Sequence, residues 1–197
     1  MPVNRYLLFL IPVTLLFLGA SCVPQSLRVV NRSEPRASCT TTATPTQGIG
    51  PYYKDGSTER TDLRELGMPG DPLTISGTVT DTACNPLPGV WMDFWQADAD
   101  GQYDNDGFRL RGHQFTDSEG RYTLTTIEPA QYPGRPQHIH VMLLKPDGTE
   151  PFTTQLFFSL SDQGTGESVN PALVLQFVSQ GSDADASRRA TFDFVLP

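Results

Sequence analysis

From Leu73 to its end the chain is cut into short apolar segments by turn residues, a pattern that leaves room for strands and none for a long amphipathic helix. Leu73, Ile75 and Val79 alternate with Thr and Ser, the period of a half-buried strand. Asn85-Pro86 and Pro88-Gly89 punctuate before the apolar run 90–96. Asp117-Ser118-Glu119-Gly120 turns into Tyr122, Leu124 and Thr126, and further segments follow at 138–144, 154–160, 172–178 and 191–196. Glycine and proline, 17 of each in 197 residues, supply the interruptions. Strands at this spacing predict an all-β chain folded as a β-sandwich. The polar stretches 97–112 and 161–171 are long enough to be functional loops. A hydrophobic content of 38% suffices for one packed core.

The N-terminus reads as an export signal. Arg5 precedes residues 6–20, an apolar run broken only by Thr14 and Gly19. That is shorter than the ~20 residues of a membrane span and fits a signal peptide over 1–21. Cys22 follows Gly19-Ala20-Ser21, which resembles a bacterial lipoprotein processing site, although Leu18 stands four residues before the cysteine, where that pattern wants three. A lipid on Cys22 would be the one route to a membrane. Residues 22–47, rich in Ser, Thr, Pro and Arg, read as a tether or N-terminal arm, leaving 48–197 as the domain. Export would carry Cys39 and Cys84 into an oxidising compartment, where the two are expected to pair. The formal net charge of −8 argues against nucleic acid, whose phosphates need a basic face.

The segments 75–81, 86–90 and 116–122 resemble the prealbumin-like sandwich modules, many of which bind or adhere without catalysis. A non-catalytic module of that kind is the alternative to an enzyme.

His138-Ile139-His140 opens the apolar run that continues to Leu144. Strand side chains alternate faces, so both imidazoles project to one side. Two histidines two apart are a weak metal signal alone. A cupin would place Glu about four residues past the second histidine, where Leu144 and Lys145 stand instead. The neighbourhood offers tyrosine: Tyr132 within Gln131-Tyr132-Pro133-Gly134-Arg135-Pro136, and Tyr103 in the turn Asp100-Gly101-Gln102-Tyr103. Tyrosinate is a hard anionic ligand suited to Fe(III), and the metal itself would have to lower its pKa from ~10. Trp91 and Trp95 share one strand face and are expected in the core, with a pocket edge as the alternative, while His113 is expected on an exposed loop near Arg109 and Arg111.

Taken in order, Gly101-Gln102-Tyr103, Thr116-Asp117 with Gly120-Arg121-Tyr122, and Tyr132-Pro133-Gly134-Arg135-Pro136-Gln137-His138-Ile139-His140 resemble the intradiol ring-cleavage dioxygenases. The likeness runs from about Thr44 to Phe158 and includes Thr46-Gln47, Gly50-Pro51-Tyr52-Tyr53, Arg60-Thr61-Asp62 and Trp95-Gln96-Ala97-Asp98. With the export signal, it is nearest the extracellular branch. The resemblance implies an all-β prealbumin-like sandwich with long loops, and Fe(III) held by Tyr103, Tyr132, His138 and His140. It implies Arg135 and Gln155 at the reacting face and a catechol plus O2 as substrates, with a cis,cis-muconate-type diacid as product. Tyr132 would also take a substrate proton. The family works as assemblies, so an oligomer is compatible with the resemblance. Gly134 stands where the protocatechuate branch has a bulky aromatic, and no basic residue can be assigned to a ring carboxylate, which favours an uncharged catechol.

Overall fold

A computed structural model describes residues 39–161, 164–178 and 188–197. The expected signal peptide, Cys22 and residues 22–38 of the expected arm lie outside the described residues. Nine strands follow in chain order among the described residues: β1 (Pro72–Asp81), β2 (Trp91–Gln96), β3 (Arg111–Phe115), β4 (Arg121–Ile127), β5 (His138–Leu144), β6 (Phe152–Phe157), β7 (Gln176–Phe177), β8 (Arg188–Thr191) and β9 (Phe194–Leu196). A single 3-10 turn, Pro171–Leu173, precedes β7 and is capped by the Asn170 side chain.

The strands form two sheets. One is ordered β4-β1-β8-β7, with β9 also paired to β1. The other is ordered β3-β2-β5-β6 and is antiparallel throughout. β1 serves two parallel partners, β8 along Leu73–Ser76 and β9 along Val79–Asp81. Between them, at Gly77, the chain linking β8 to β9 crosses so closely that a Cβ would lie 1.8 Å from the Phe192 carbonyl oxygen.

Period-two alternation decides what the core contains. Met92, Phe94, Ile139, Val141, Leu143 and Leu156 point from the second sheet to join Leu73, Ile75 and Leu124 of the first in one buried cluster. The opposite face of the second sheet carries Arg111, Trp95, His138, His140 and Gln155, also buried. That face lies under loops, and it is where the chemistry-bearing residues collect.

Several expected segments are shifted. The segment expected at 154–160 is β6, beginning at Phe152 and ending at Phe157. The segment at 172–178 divides into the 3-10 turn and a two-residue strand, and that at 191–196 divides at Phe192 between β8 and β9. The expected loop 97–112 ends earlier, at β3, whose Arg-Gly-His-Gln run has no apolar alternation to reveal it. His113 is therefore on a strand and half-buried, not on an exposed loop. Ser57 donates to Asp93 Oδ1 at 2.7 Å, and its hydroxyl lies 3.0 Å from His113 Nδ1.

Cys39 and Cys84 are joined in a disulfide spanning 45 residues of sequence. From there residues 39–47 run along the domain: Thr44 N–H donates to the Val195 carbonyl, Gln47 N–H to that of Thr153, and the Thr154 hydroxyl to that of Pro45. Closing a 45-residue loop removes unfolded-state entropy equivalent to about 4 kcal/mol. Reduction with dithiothreitol is therefore expected to lower the urea midpoint substantially and to steepen the slope, because the freed unfolded chain exposes more surface. Cys84→Ala should reproduce that shift and make the protein indifferent to the reductant.

Candidate metal centre

One rung of the second sheet organises the site. Arg111 on β3 pairs with Trp95 on β2, Trp95 with His140 on β5, and His140 with Gln155 on β6. Residues in register share a face, so these four side chains stand side by side. None is more than 3% exposed. Trp95 lies flat on His140, with ring centroids 4.8 Å apart and planes 5° from parallel. Tyr53 meets the Trp95 ring edge-on at 5.0 Å. Gly50 approaches His140 so closely that a Cβ there would be 3.1 Å from Cε1 of the imidazole; its φ is +73°.

His138 projects from the same face two residues earlier. Its Nδ1 donates to the Pro136 carbonyl at 2.6 Å, which leaves Nε2 as the free lone pair. That Nε2 lies 3.1 Å from Nε2 of His140. The spacing is close to the about 3 Å expected for two imidazoles in adjacent positions on one metal at about 2.1 Å. Burial holds the His138 pKa down to about 4 and that of His140 well below its ordinary value, so both rings are neutral at pH 7.

Two loops bring the tyrosines. The loop after β2 is held by two aspartates. Asp98 Oδ1 accepts from the backbone of Asp100 and Gln102, and Asp104 accepts from Gly107 and Arg109. Tyr103 sits between them. At Gly101 a Cβ would fall 2.9 Å from the Gln131 carbonyl and 3.3 Å from Cβ of Tyr132, so glycine lets the second loop dock against the first. The Ala130 N–H seals that contact on the Asp98 carbonyl. The second loop turns at Tyr132–Arg135, the Arg135 N–H donating to the Tyr132 carbonyl.

The four rings close a circuit: Tyr103–Tyr132 centroids at 5.8 Å, Tyr132–His138 at 5.6 Å, His138–His140 at 4.7 Å and His140–Tyr103 at 6.2 Å. Burial and the adjacent Tyr132 phenol push the Tyr103 pKa well above its ordinary value; burial raises that of Tyr132, with Arg135 opposing. Among the described residues no cluster of three or more His, Cys, Asp or Glu is placed to hold a metal, so any cation here depends on the phenols. Five buried side-chain polar atoms in the described residues have no hydrogen-bond partner, and four belong to this region: Tyr103 Oη, His140 Nδ1, Trp95 Nε1 and Arg111 Nη2. Such clustering is unusual for a structural core, where buried polar atoms are paired. Two neutral imidazoles and two hard oxygens fit a ferric ion by donor chemistry.

Arg135 and Gln155 are joined: Arg135 Nη2 donates to Gln155 Oε1 at 2.6 Å, and Gln155 Nε2 donates to the Gly48 carbonyl at 3.0 Å. Three further residues are given no role by the sequence read alone, although Tyr52 lies within the likeness at Gly50-Pro51-Tyr52-Tyr53. Arg111 donates to the Tyr52 and Asp104 carbonyls and lies 5.9 Å from the Tyr103 ring. Tyr52 stacks on Tyr103 at 4.4 Å. Glu167, from the loop after β6, accepts from Arg135 Nε at 2.6 Å. Trp95 is buried, as expected, and takes the pocket-edge alternative, because strand alternation sets it opposite Phe94, on the site face.

A sequence model of a family described as Dioxygenase matches residues 49–197. The chain is 33% identical over 192 residues to hydroxyquinol 1,2-dioxygenase of Rhodococcus opacus, a match covering 78% of this chain and 64% of that protein. The chain thus spans somewhat under two thirds of the length of that relative. Among solved structures it is similar to the dioxygenase domain of a dioxygenase carbohydrate-binding protein fusion from Streptomyces sp. SirexAA-E, with 49% identity, a TM-score of 0.72, and coverage of 79% of this chain and 98% of that one. It is also similar to 3-chlorocatechol 1,2-dioxygenase of Rhodococcus opacus 1CP, at 29% identity and a TM-score of 0.66, covering 77% and 71%.

The seat of His140 admits a direct check. Gly50→Ala forces a left-handed backbone on an L residue and crowds the ring, so a loss of about 1–2 kcal/mol is expected in urea unfolding. The His140 ring resonances should shift in nuclear magnetic resonance spectra, whereas Gly148→Ala, with nothing within 4 Å of its Cβ, should leave them in place.

Proposed function

The chain belongs to the intradiol ring-cleavage dioxygenase family, and from that premise we propose that it is an exported Fe(III) enzyme that opens a catechol-type ring between its two hydroxyl-bearing carbons with O2, giving a cis,cis-muconate-type diacid. The observation that carries this reading is the closed circuit of two phenols and two neutral imidazoles above one buried rung. Export is supported by the apolar run 6–20 and by the Cys39–Cys84 disulfide, which persists best in an oxidising compartment.

Tyr103, Tyr132, His138 and His140 would hold the iron, which supplies Lewis acidity and a template for both catechol oxygens. The protein's own contributions follow from its geometry. His138 presents Nε2 because its Nδ1 proton is committed to the Pro136 carbonyl. His140 is held by Trp95 flat on one face and by Gly50 close to its Cε1. Tyr132, as a phenolate that would hold the metal, would accept a proton from a substrate hydroxyl at its Oη. Arg135, braced by Gln155, would stabilise negative charge developing on the ring carbon that meets O2.

Iron content and the visible spectrum test this reading. The mature protein is expected to hold about one ferric ion per chain, as two neutral imidazoles and two phenolates allow, with a tyrosinate charge-transfer band that moves to the red when catechol is added under nitrogen. Admitting air should then release the ring-opened diacid. Tyr132→Phe should lower turnover by about 10²–10⁴-fold. A protein that stays colourless after iron reconstitution would overturn the proposal in favour of a non-catalytic binding module.

A further inference from the structure

The loop after β6 brings a carboxylate to the candidate centre. Glu167 Oε2 takes the Nε edge of Arg135 at 2.6 Å while Gln155 takes the Nη2 end at 2.6 Å. The two charged side chains are about equally accessible, 26% and 27% exposed, so the pair reaches solvent beside the ring circuit. The other cation of the centre, Arg111, is 2% exposed, and its Nε and Nη1 face the Asp104 and Tyr52 carbonyls behind Tyr103. Among the described side chains of the centre, Arg135 is thus the solvent-accessible cation, and Glu167 pairs with it.

A guanidinium left without a carboxylate partner is a ready receptor for one brought in on a ligand, since the pairing can be bidentate. With Glu167 in place that position is filled, and an incoming carboxylate meets a like charge there. An uncharged catechol meets neither obstacle. We propose that Glu167 is a specificity-determining residue, which directs the pocket to catechols with an uncharged ring and against those bearing a ring carboxylate. This rests on the dioxygenase reading, and it assigns a role to a residue outside the ring circuit.

The test compares two ligands on iron-loaded protein under nitrogen, 4-methylcatechol and 3,4-dihydroxybenzoate, each titrated against the visible band. Wild type is expected to bind the uncharged catechol at least about tenfold more tightly. Glu167→Gln keeps an acceptor for Arg135 Nε and removes the charge; it should move the affinity ratio about tenfold toward the carboxylated ligand, and Glu167→Ala should move it the same way. A role confined to stability would weaken both ligands together and leave the ratio where it was. Equal affinities in wild type, or a ratio that both variants leave unchanged or move the other way, would overturn the inference alone. A protein whose band responds to neither ligand would overturn the dioxygenase reading and this inference with it. The wild-type ratio stands as a test even where a variant does not fold.

Discussion

A row of polar side chains crossing four hydrogen-bonded strands must be covered, and the remainder of the chain is arranged to cover it. Arg111, Trp95, His140 and Gln155 share one rung, on the sheet face turned away from the apolar cluster. In water they would be an ordinary polar face. Buried to within a few per cent, they carry desolvation costs that only well-placed partners offset. The segment after Cys39 supplies Gly48 to Gln155, Gly50 to His140 and Tyr52 to Arg111; the loops after β2 and β4 supply the phenols. Among the groups that remain unsatisfied, the Tyr103 oxygen is the one a cation would complete.

Much of this was legible before any coordinates. The alternation at Leu73, Ile75 and Val79 and the turn at Asp117–Gly120 specify strands because an apolar face must find a core. The segment 138–144 is a strand over that whole span, since its apolar residues serve the core on one face and its histidines the site on the other. β3 was not legible, because both its faces are spoken for by polar contacts and no hydrophobic period survives. For the same reason Trp95 reads as core: it is buried, and only register shows that it lies on His140.

The site residues divide in the same way. Tyr103, Tyr132, His138 and His140 stand out because their order and spacing match a known pattern. Arg111 and Glu167 do not, because each acts through a contact with a residue distant in sequence, 59 positions for Arg111 with Tyr52 and 32 for Arg135 with Glu167. Nothing local in Thr165-Gly166-Glu167-Ser168 distinguishes a surface loop from a charge beside the ring circuit. A sequence displays residue types, whereas neutralisation of one charge by another belongs to the folded arrangement.

The parallel pairing of β1 with β8 and β9 reaches beyond statics. Leu73 finds Arg188, and Val79 finds Phe194, across more than a hundred residues of chain. Contacts of that separation put the molecule at the slow end of folding, because the intervening loop must close before the pairing stabilises it. The first sheet also cannot be completed by a growing chain until residues 188–196 have been made. Until then β1 lacks both parallel partners, and the polypeptide behind it stays an open, threadable polymer for the 115 or so residues that separate them.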